Sequence, residues 1–344
     1  MKRSALLAAG SISLLLGSAP GSLPSTFQEE ELQGRTLAEK VAYCGTCHRE
    51  IDEEWRKSLH AKAWTDPTFQ AALAAERARD PEAAQACVPC HAPAPLLDTG
   101  FGKTPRAREA DFEVGVDCFA CHVGSRGMSG PHGTKYHRSR ADERFLDPVQ
   151  CYACHGQTER DPVHDQRSAY EAQAASAGNT CASCHMEGVE RVLSQEEEKT
   201  RRQVGRLKPR LSGRHDFPGP HDAKFLEKAA DLELSVEEGN LLVAIEVKTG
   251  HDLPGGGDGR TVVLAVKILD PGGKEVLARE EVYDFEKRPL RPDSKEPMRI
   301  PLPLEKGKAK ALLLHHLLAA PKYGAPRDAD VVHPIAEKGI DFPP

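Results

Sequence analysis

Aromatic residues are scarce in this 344-residue chain: 2 Trp, 6 Tyr and 10 Phe make up 5% of it. A chain of this length predicts about two domains, and so few rings are thin filling for two cores built from side chains alone. An excess of basic charge is also missing. With 46 Lys+Arg against 52 Asp+Glu the net charge is −6, which argues against a nucleic-acid partner, since phosphate binding needs a net basic face, and is compatible with electrostatic docking to a basic partner. Long apolar runs are absent after the first residues. Lys2 and Arg3 precede an apolar run from Ala5 to Leu16, too short to span a bilayer and patterned as a signal peptide. Cleavage is expected among the small residues Gly17 to Ser22, so residues 1–22 are read as a leader, with an uncleaved anchor as the alternative. The mature protein is then expected to be periplasmic or secreted, without stable membrane insertion.

Cysteine outside one repeated pattern is absent as well. All ten cysteines fall in C-x-x-C-H pentapeptides: Cys44/Cys47/His48, Cys87/Cys90/His91, Cys118/Cys121/His122, Cys151/Cys154/His155 and Cys181/Cys184/His185. Two thiols three residues apart reach the two vinyl groups of one haem, and the adjacent His is carried under the ring to ligate iron. Disulfide staples would not require paired spacing each time, and zinc sites would not require the fifth residue. The expected cofactors are therefore five covalent haem c groups. Successive motifs begin 43, 31, 33 and 30 residues apart. About thirty residues cannot make an independent globular unit, so the haems should share one protein shell, near enough for electrons to pass between them.

Along the chain, Ile51 to Trp64 carries a helical stripe of Ile51, Trp55 and Leu59, residues 68–86 read as a second helix interrupted at Asp80-Pro81, residues 92–110 read as loop, and 165–177 as a further helix. Residues 195–214 are charge-dense, a solvated helix or linker, with a docking patch as the sharper reading. From Lys228 the period changes to two. Leu232, Leu234 and Val236 alternate with polar residues, strand-like runs follow at 241–247, 261–269, 275–278, 298–304 and 309–318, and Asp270-Pro271-Gly272-Gly273 marks a turn. The expected fold is mainly α with extensive loop, wrapped around a pentahaem core, with a small C-terminal antiparallel β-sandwich. Its expected parts are a pentahaem domain over 23–194, a charged linker with a ligand segment over 195–227, and the β-domain over 228–344.

A non-catalytic c-type haem needs a sixth ligand. Beyond the five motif histidines, ten of the fifteen His remain, whereas methionine is a poor source. The candidates are His60, beside the apolar stripe of its helix; His132 and His137, flanking a Gly-Thr stretch; His164, ahead of a helix; His215, where the chain returns from the charged segment; and His251, on a loop between strands. His315, His316 and His333 read as surface or structural residues.

At these positions the sequence resembles a known family. Cys44-Gly-Thr-Cys47-His48 followed by Ile51, Trp55, Ser58, His60 and Ala61 resembles the opening of the cytochrome c-552/c-554 family, which is related to hydroxylamine oxidoreductases. Gly115-Val116-Asp117-Cys118-Phe-Ala-Cys121-His122 is similar to that family's G-V-x-C-x-x-C-H site. The H-x-F-P-G at His215 and G-H-x-L-P-G at His251 are similar to larger periplasmic multihaem proteins with a C-terminal β-domain. The resemblance covers roughly residues 40 to 260 and implies bis-histidine haems in stacked pairs with His60 as a distal ligand. The best-known carriers of the family have four haems, so their ligand pairing cannot be copied across, and the C-x-x-C-K of the related nitrite reductases does not occur here. The leading expectation is electron transfer between a redox donor and acceptor protein, not catalysis. The alternatives are a haem reductase or oxidase of small nitrogen or sulfur compounds with one open-faced haem, and a subunit of an extracellular cytochrome polymer. Oligomerisation is left open.

Overall fold

Helix α1, Leu37–Cys47, starts where Thr36 and Glu39 form a reciprocal cap: the Glu39 N–H donates to Thr36 Oγ1 and the Thr36 N–H to the Glu39 carboxylate, satisfying two donors that a bare helix end leaves open. The computed structural model describes residues 32–134, 139–156, 165–173, 180–195, 208–256, 260–285, 287–292, 294, 297–317 and 332–343. The proposed leader lies outside them, and residues 35–344 cluster as one unit.

Short helices follow, most of them opened by a side-chain cap or by a motif. Helix α2, Arg49–Lys57, ends earlier than its apolar stripe predicts. The Ser58 N–H and hydroxyl both turn back to Trp55 O, and His60 follows on a tight turn. Asp66 caps α3, Pro67–Arg79, with Pro67 at the first helical position, where its missing N–H costs nothing. A 3₁₀ turn over Ala83–Cys87 leads into α4, Val88–His91. The segment expected to be loop contains one more turn of helix, α5, Leu96–Thr99. Helix α6, Cys118–His122, is capped by Asp117. It runs into a three-stranded sheet of β1 (Val123–Gly124), β2 (Gly127–Gly130) and β3 (Arg140–Ala141). Helices α7 (Tyr152–His155), α8 (Gln166–Gln173) and α9 (Cys181–His185) complete the motif-bearing part. Every C-x-x-C-H is thus a single helical turn, which sets its two thiols on one side.

Beyond α9, β4 (Gly188–Arg191) pairs with β5 (Arg210–Gly213), and α10, Ala223–Leu226, precedes two antiparallel sheets. The first has the order β10 (Met298–Pro301), β7 (Asn240–Val247), β6 (Ala230–Glu237). The second has the order β12 (Val332–Phe342), β11 (Gly307–His316), β8 (Thr261–Leu269), β9 (Glu275–Asp284). Strands β6 and β7 are joined by Glu238-Gly239, whose φ angles of 50° and 75° are those of the two-residue turn that matches strand twist. Strand β12 was not foreseen. It contains Pro334 and lies at an edge, where a missing N–H is tolerated, and the register shifts between Leu313 and Leu314 opposite it.

The two sheets share one hydrophobic cluster. Leu241 and Val243 from one and Val262, Leu264, Val266, Ile268, Ala309, Ala311 and Leu313 from the other are buried in it. Each larger side chain so buried contributes about 1.5–3 kcal/mol. Among the described residues the motif-bearing part has no comparable cluster. Its buried apolar residues, such as Val41, Leu73, Ala84, Val88, Ala92 and Ala120, are mostly small and scattered, so this part needs bulk from something other than its own side chains.

Candidate metal centres

No disulfide joins any of the ten cysteines. Among the described residues no three His, Cys, Asp or Glu side chains group around a common point for a metal ion, so the thiols do not form zinc clusters. What the structure brings together is imidazoles in twos. His60 and His155 have ring centroids 6.2 Å apart, His122 and His215 6.3 Å, and His185 and His251 6.4 Å. Two imidazoles binding one metal from opposite sides, each with a metal–nitrogen bond of about 2 Å and a centroid about 1.1 Å further on, stand about 6.2 Å apart. Each pair joins the His of a C-x-x-C-H turn to one of the sequence-predicted candidates. The residues fit haem: the helical turn would supply two thiols and one imidazole to hold it, and the partner imidazole would supply a second nitrogen.

The ring nitrogens are oriented for this. His122 Nδ1 donates to Ser129 O at 2.9 Å, His185 Nδ1 to Pro218 O at 2.7 Å, His215 Nδ1 to Gly213 O at 3.0 Å and His251 Nδ1 to Asp252 O at 2.9 Å. His48 Nδ1 does the same to Leu193 O and His91 Nδ1 to Ala63 O, both at 2.6 Å. A proton fixed on Nδ1 leaves the Nε2 lone pair for metal and raises its basicity. Burial lowers the pKa of His48, His122, His185 and His251. It pushes His60 down to about 4, with the charge of His185 assisting, and His215 down to about 3, with His122 assisting. His60, His122 and His251 are partly buried.

Two buried ionic groups hold the partner imidazoles. Gly115, with φ +69°, sits so near the turn bearing His60 that a Cβ on it would lie 2.6 Å from His60 O. The Val116 N–H donates to that same oxygen at 2.8 Å, and Trp55 Nε1 donates to Val116 O at 2.8 Å. Arg108 donates both to Gly115 O and to Asp117, whose other oxygen caps α6. Burial pushes the Asp117 carboxyl up against the pull of Arg108. At the second pair, Arg191 donates to Glu54 Oε1 at 2.8 Å, to Ser212 Oγ at 2.9 Å and to Gly213 O at 2.8 Å, while Glu54 Oε2 accepts the His215 N–H at 2.9 Å. These residues had no signal in the sequence beyond the G-V-D-C motif, because their partners lie far apart along the chain.

His132 is exposed and belongs to none of the three pairs. His137 and His164 lie outside the described residues. His91 lies flat against Phe69, with ring centroids 3.6 Å apart. His315 is buried in β11.

The motifs also approach one another. Cys44 lies within side-chain hydrogen-bonding reach of Cys118, Cys90 of Cys154, and Cys151 of Cys181, while Cys121 acts electrostatically on both Cys151 and Cys154. Clustered C-x-x-C-H turns with paired imidazoles between them are the arrangement a multihaem c-type cytochrome would use. Residues 43–123 match the model of the family described as cytochrome c554 and c-prime. The fold is similar to that of a penta-haem cytochrome c552 from Thermochromatium tepidum, with a TM-score of 0.62 and 17% identity over 89% of this chain and 99% of that one. The likeness in sequence to that family covers residues 43–123, and the likeness in fold extends over 89% of the chain. No curated protein sequence matches it.

Proposed function

We propose that this chain is a periplasmic pentahaem electron carrier, with Cys44/Cys47, Cys87/Cys90, Cys118/Cys121, Cys151/Cys154 and Cys181/Cys184 attaching the haems and His48, His91, His122, His155 and His185 as proximal ligands. His60, His215 and His251 are the second ligands at the fourth, third and fifth motifs. His132, His137 and His164 remain the candidates for the others. The observation that carries this reading is the set of three imidazole pairs at 6.2, 6.3 and 6.4 Å, since a centre closed on both faces passes electrons and has no open position for substrate. Bound haem supplies reversible one-electron chemistry. The protein's own part is to keep the imidazoles neutral, fix their tautomers and hold the motifs close.

The thiol neighbourhoods support an order in space that differs from the order in sequence: first motif to third, third to fourth, and fourth to both second and fifth. Residues 23–194 then form the haem domain and 195–227 the linker with His215. Residues 228–344 form a β-sandwich whose loop after β7 supplies His251. In the described residues no helix is long and apolar enough to cross a membrane. Donor and acceptor are redox proteins, as the family implies.

Intact-mass measurement of the exported protein with electron paramagnetic resonance of its oxidised form tests this. The expected result is five added haems and low-spin signals. A high-spin signal that shifts on adding nitrite or hydroxylamine would overturn the carrier reading.

A further inference from the structure

Two polar side chains, Gln166 and His221, have buried polar atoms without partners among the described residues, and a guanidinium, Arg260, lies near them. Arg260 donates through Nη1 to Gly256 O at 2.8 Å and has no carboxylate partner among the described residues. It is surrounded by protein and only partly exposed, and burial alone pushes its guanidinium pKa down. Gln166, at the start of α8, has both Nε2 and Oε1 buried without a partner, and so does His221 Nδ1. Buried amide and ring nitrogens without partners are costly, and a fold that keeps two of them beside a partly buried guanidinium is expected to answer them with an acceptor.

Their surroundings say where the answering group sits. A Cβ on Gly255 would lie 3.5 Å from His251 Cε1 and 3.9 Å from Gln166 Oε1, so the amide and the axial imidazole flank one backbone turn, whose next carbonyl holds Arg260. His221 packs on Gly219, next to the Pro218 carbonyl that holds His185. Arg260, Lys62 and His333 all act on His221 as positive neighbours, with Asp222 the opposing acid. The cluster is therefore net positive, donor-rich and adjacent to both imidazoles of the fifth motif.

We infer that Arg260, with Gln166 and His221, is the seat of a carboxylate belonging to the haem attached at Cys181 and Cys184, namely one of its propionates. The guanidinium fork matches a carboxylate in two parallel hydrogen bonds, the Gln166 amide donates to a free lone pair, and His221 donates from Nδ1. A cation fixed beside this haem disfavours its oxidised, more positive form, so Arg260 holds its potential above the value the same ligands would otherwise give. The seat rests on the proposal that the fifth motif carries haem and that His251 is its second ligand.

The test uses the full haem-loaded chain. Potentiometric titration followed by electron paramagnetic resonance should show that Arg260→Gln lowers the midpoint potential of a single haem and leaves the others in place. Arg260→Lys should keep the potential near that of the parent while shifting a carboxylate band in the redox-difference infrared spectrum. Gln166→Leu should shift that band without unfolding the protein, which keeps the test available if Arg260→Gln accumulates poorly. An unchanged set of potentials in Arg260→Gln, or an unchanged infrared band in both Arg260→Lys and Gln166→Leu, overturns the seat. A midpoint or low-spin signal in the parent that responds to added sulfate or nitrite, and stops responding in Arg260→Gln, overturns it in favour of a free anion. Intact mass of the same samples reports attachment at the fifth motif separately, so loss of the five-haem reading is told apart from loss of the seat.

Discussion

A single ring nitrogen decides most of the chemistry here. His60 and His215 are short of solvent, and their folded-state pKa values of about 4 and about 3 lie below the ordinary imidazole value of about 6.5. As pH falls below that ordinary value the unfolded chain takes up protons that the folded chain refuses. The stability contributed by these neutral rings is therefore complete above about pH 6.5 and is lost on descent toward about 4 and then about 3. Protonation also occupies the nitrogen that would face iron, so both effects have the same sign. The low-spin spectrum is expected to hold from pH 7 upward and to convert to high-spin on acidification through that window, read by an absorbance titration. His60→Ala should produce one high-spin haem at neutral pH, and added imidazole should restore the low-spin signal in the resonance spectrum. The five C-x-x-C-H repeats were legible as candidate attachment sites because their spacing suits haem better than disulfide or zinc. The pairing of His60 with the fourth motif, ninety-odd residues away, was not, because nothing local to either residue encodes which ring it will face.

At the scale of elements, short pieces are tied together by buried polar groups more than by apolar packing. Strand β4 brings Arg191 to Glu54 on α2, and through Glu54 and Gly213 to both the backbone and the ring of His215. The Arg191 side chain is 5% exposed and that of Glu54 15%, so deleting one partner strands the other charge. Arg191→Met is expected to cost about 3–5 kcal/mol and, beyond the loss of stability, to disturb the low-spin signal of the third-motif haem. Denaturation curves and the resonance spectrum together check this, since a purely structural loss would leave the spectrum of the remaining folded protein unchanged. Element identity was partly legible. Strands β7 and β8 are strong apolar runs, and the period-2 pattern of β6 is plain. Strand β12 was hidden because Pro334 and Gly339 interrupt its alternation, and α2 ends early because Ser58 turns its backbone in a way that periodicity cannot register. The Glu238-Gly239 turn depends on two positive φ angles, one of them at a glutamate, a residue that gives no turn signal.

At the scale of the molecule, the proposed haem order makes the fourth motif a junction. Removing a ligand there should interrupt transfer between the first and fifth motifs, whereas a change at the second motif should remove a branch and leave that route intact. Flash reduction of the His60→Ala protein, followed haem by haem, is expected to show slower equilibration across the chain than the same measurement on Phe69→Leu, which disturbs the ring lying against His91. The scarcity of aromatic residues also makes sense at this scale. The sheets fill their own core with aliphatic side chains, while the motif-bearing part, with its small scattered core, is left to be filled by porphyrin.

The carbonyls that fix the ring nitrogens carry a consequence for how the protein is made. Leu193 reaches back to His48, Pro218 to His185 and Ala63 forward to His91, so each of these turns is closed over by a segment distant from it. Nine of the ten cysteines are at least partly covered in the folded chain. On the proposed attachment, haem is expected to be added before these segments close, and a chain lacking haem at one motif is expected to be cut faster at its covering segment in limited proteolysis than the fully loaded chain.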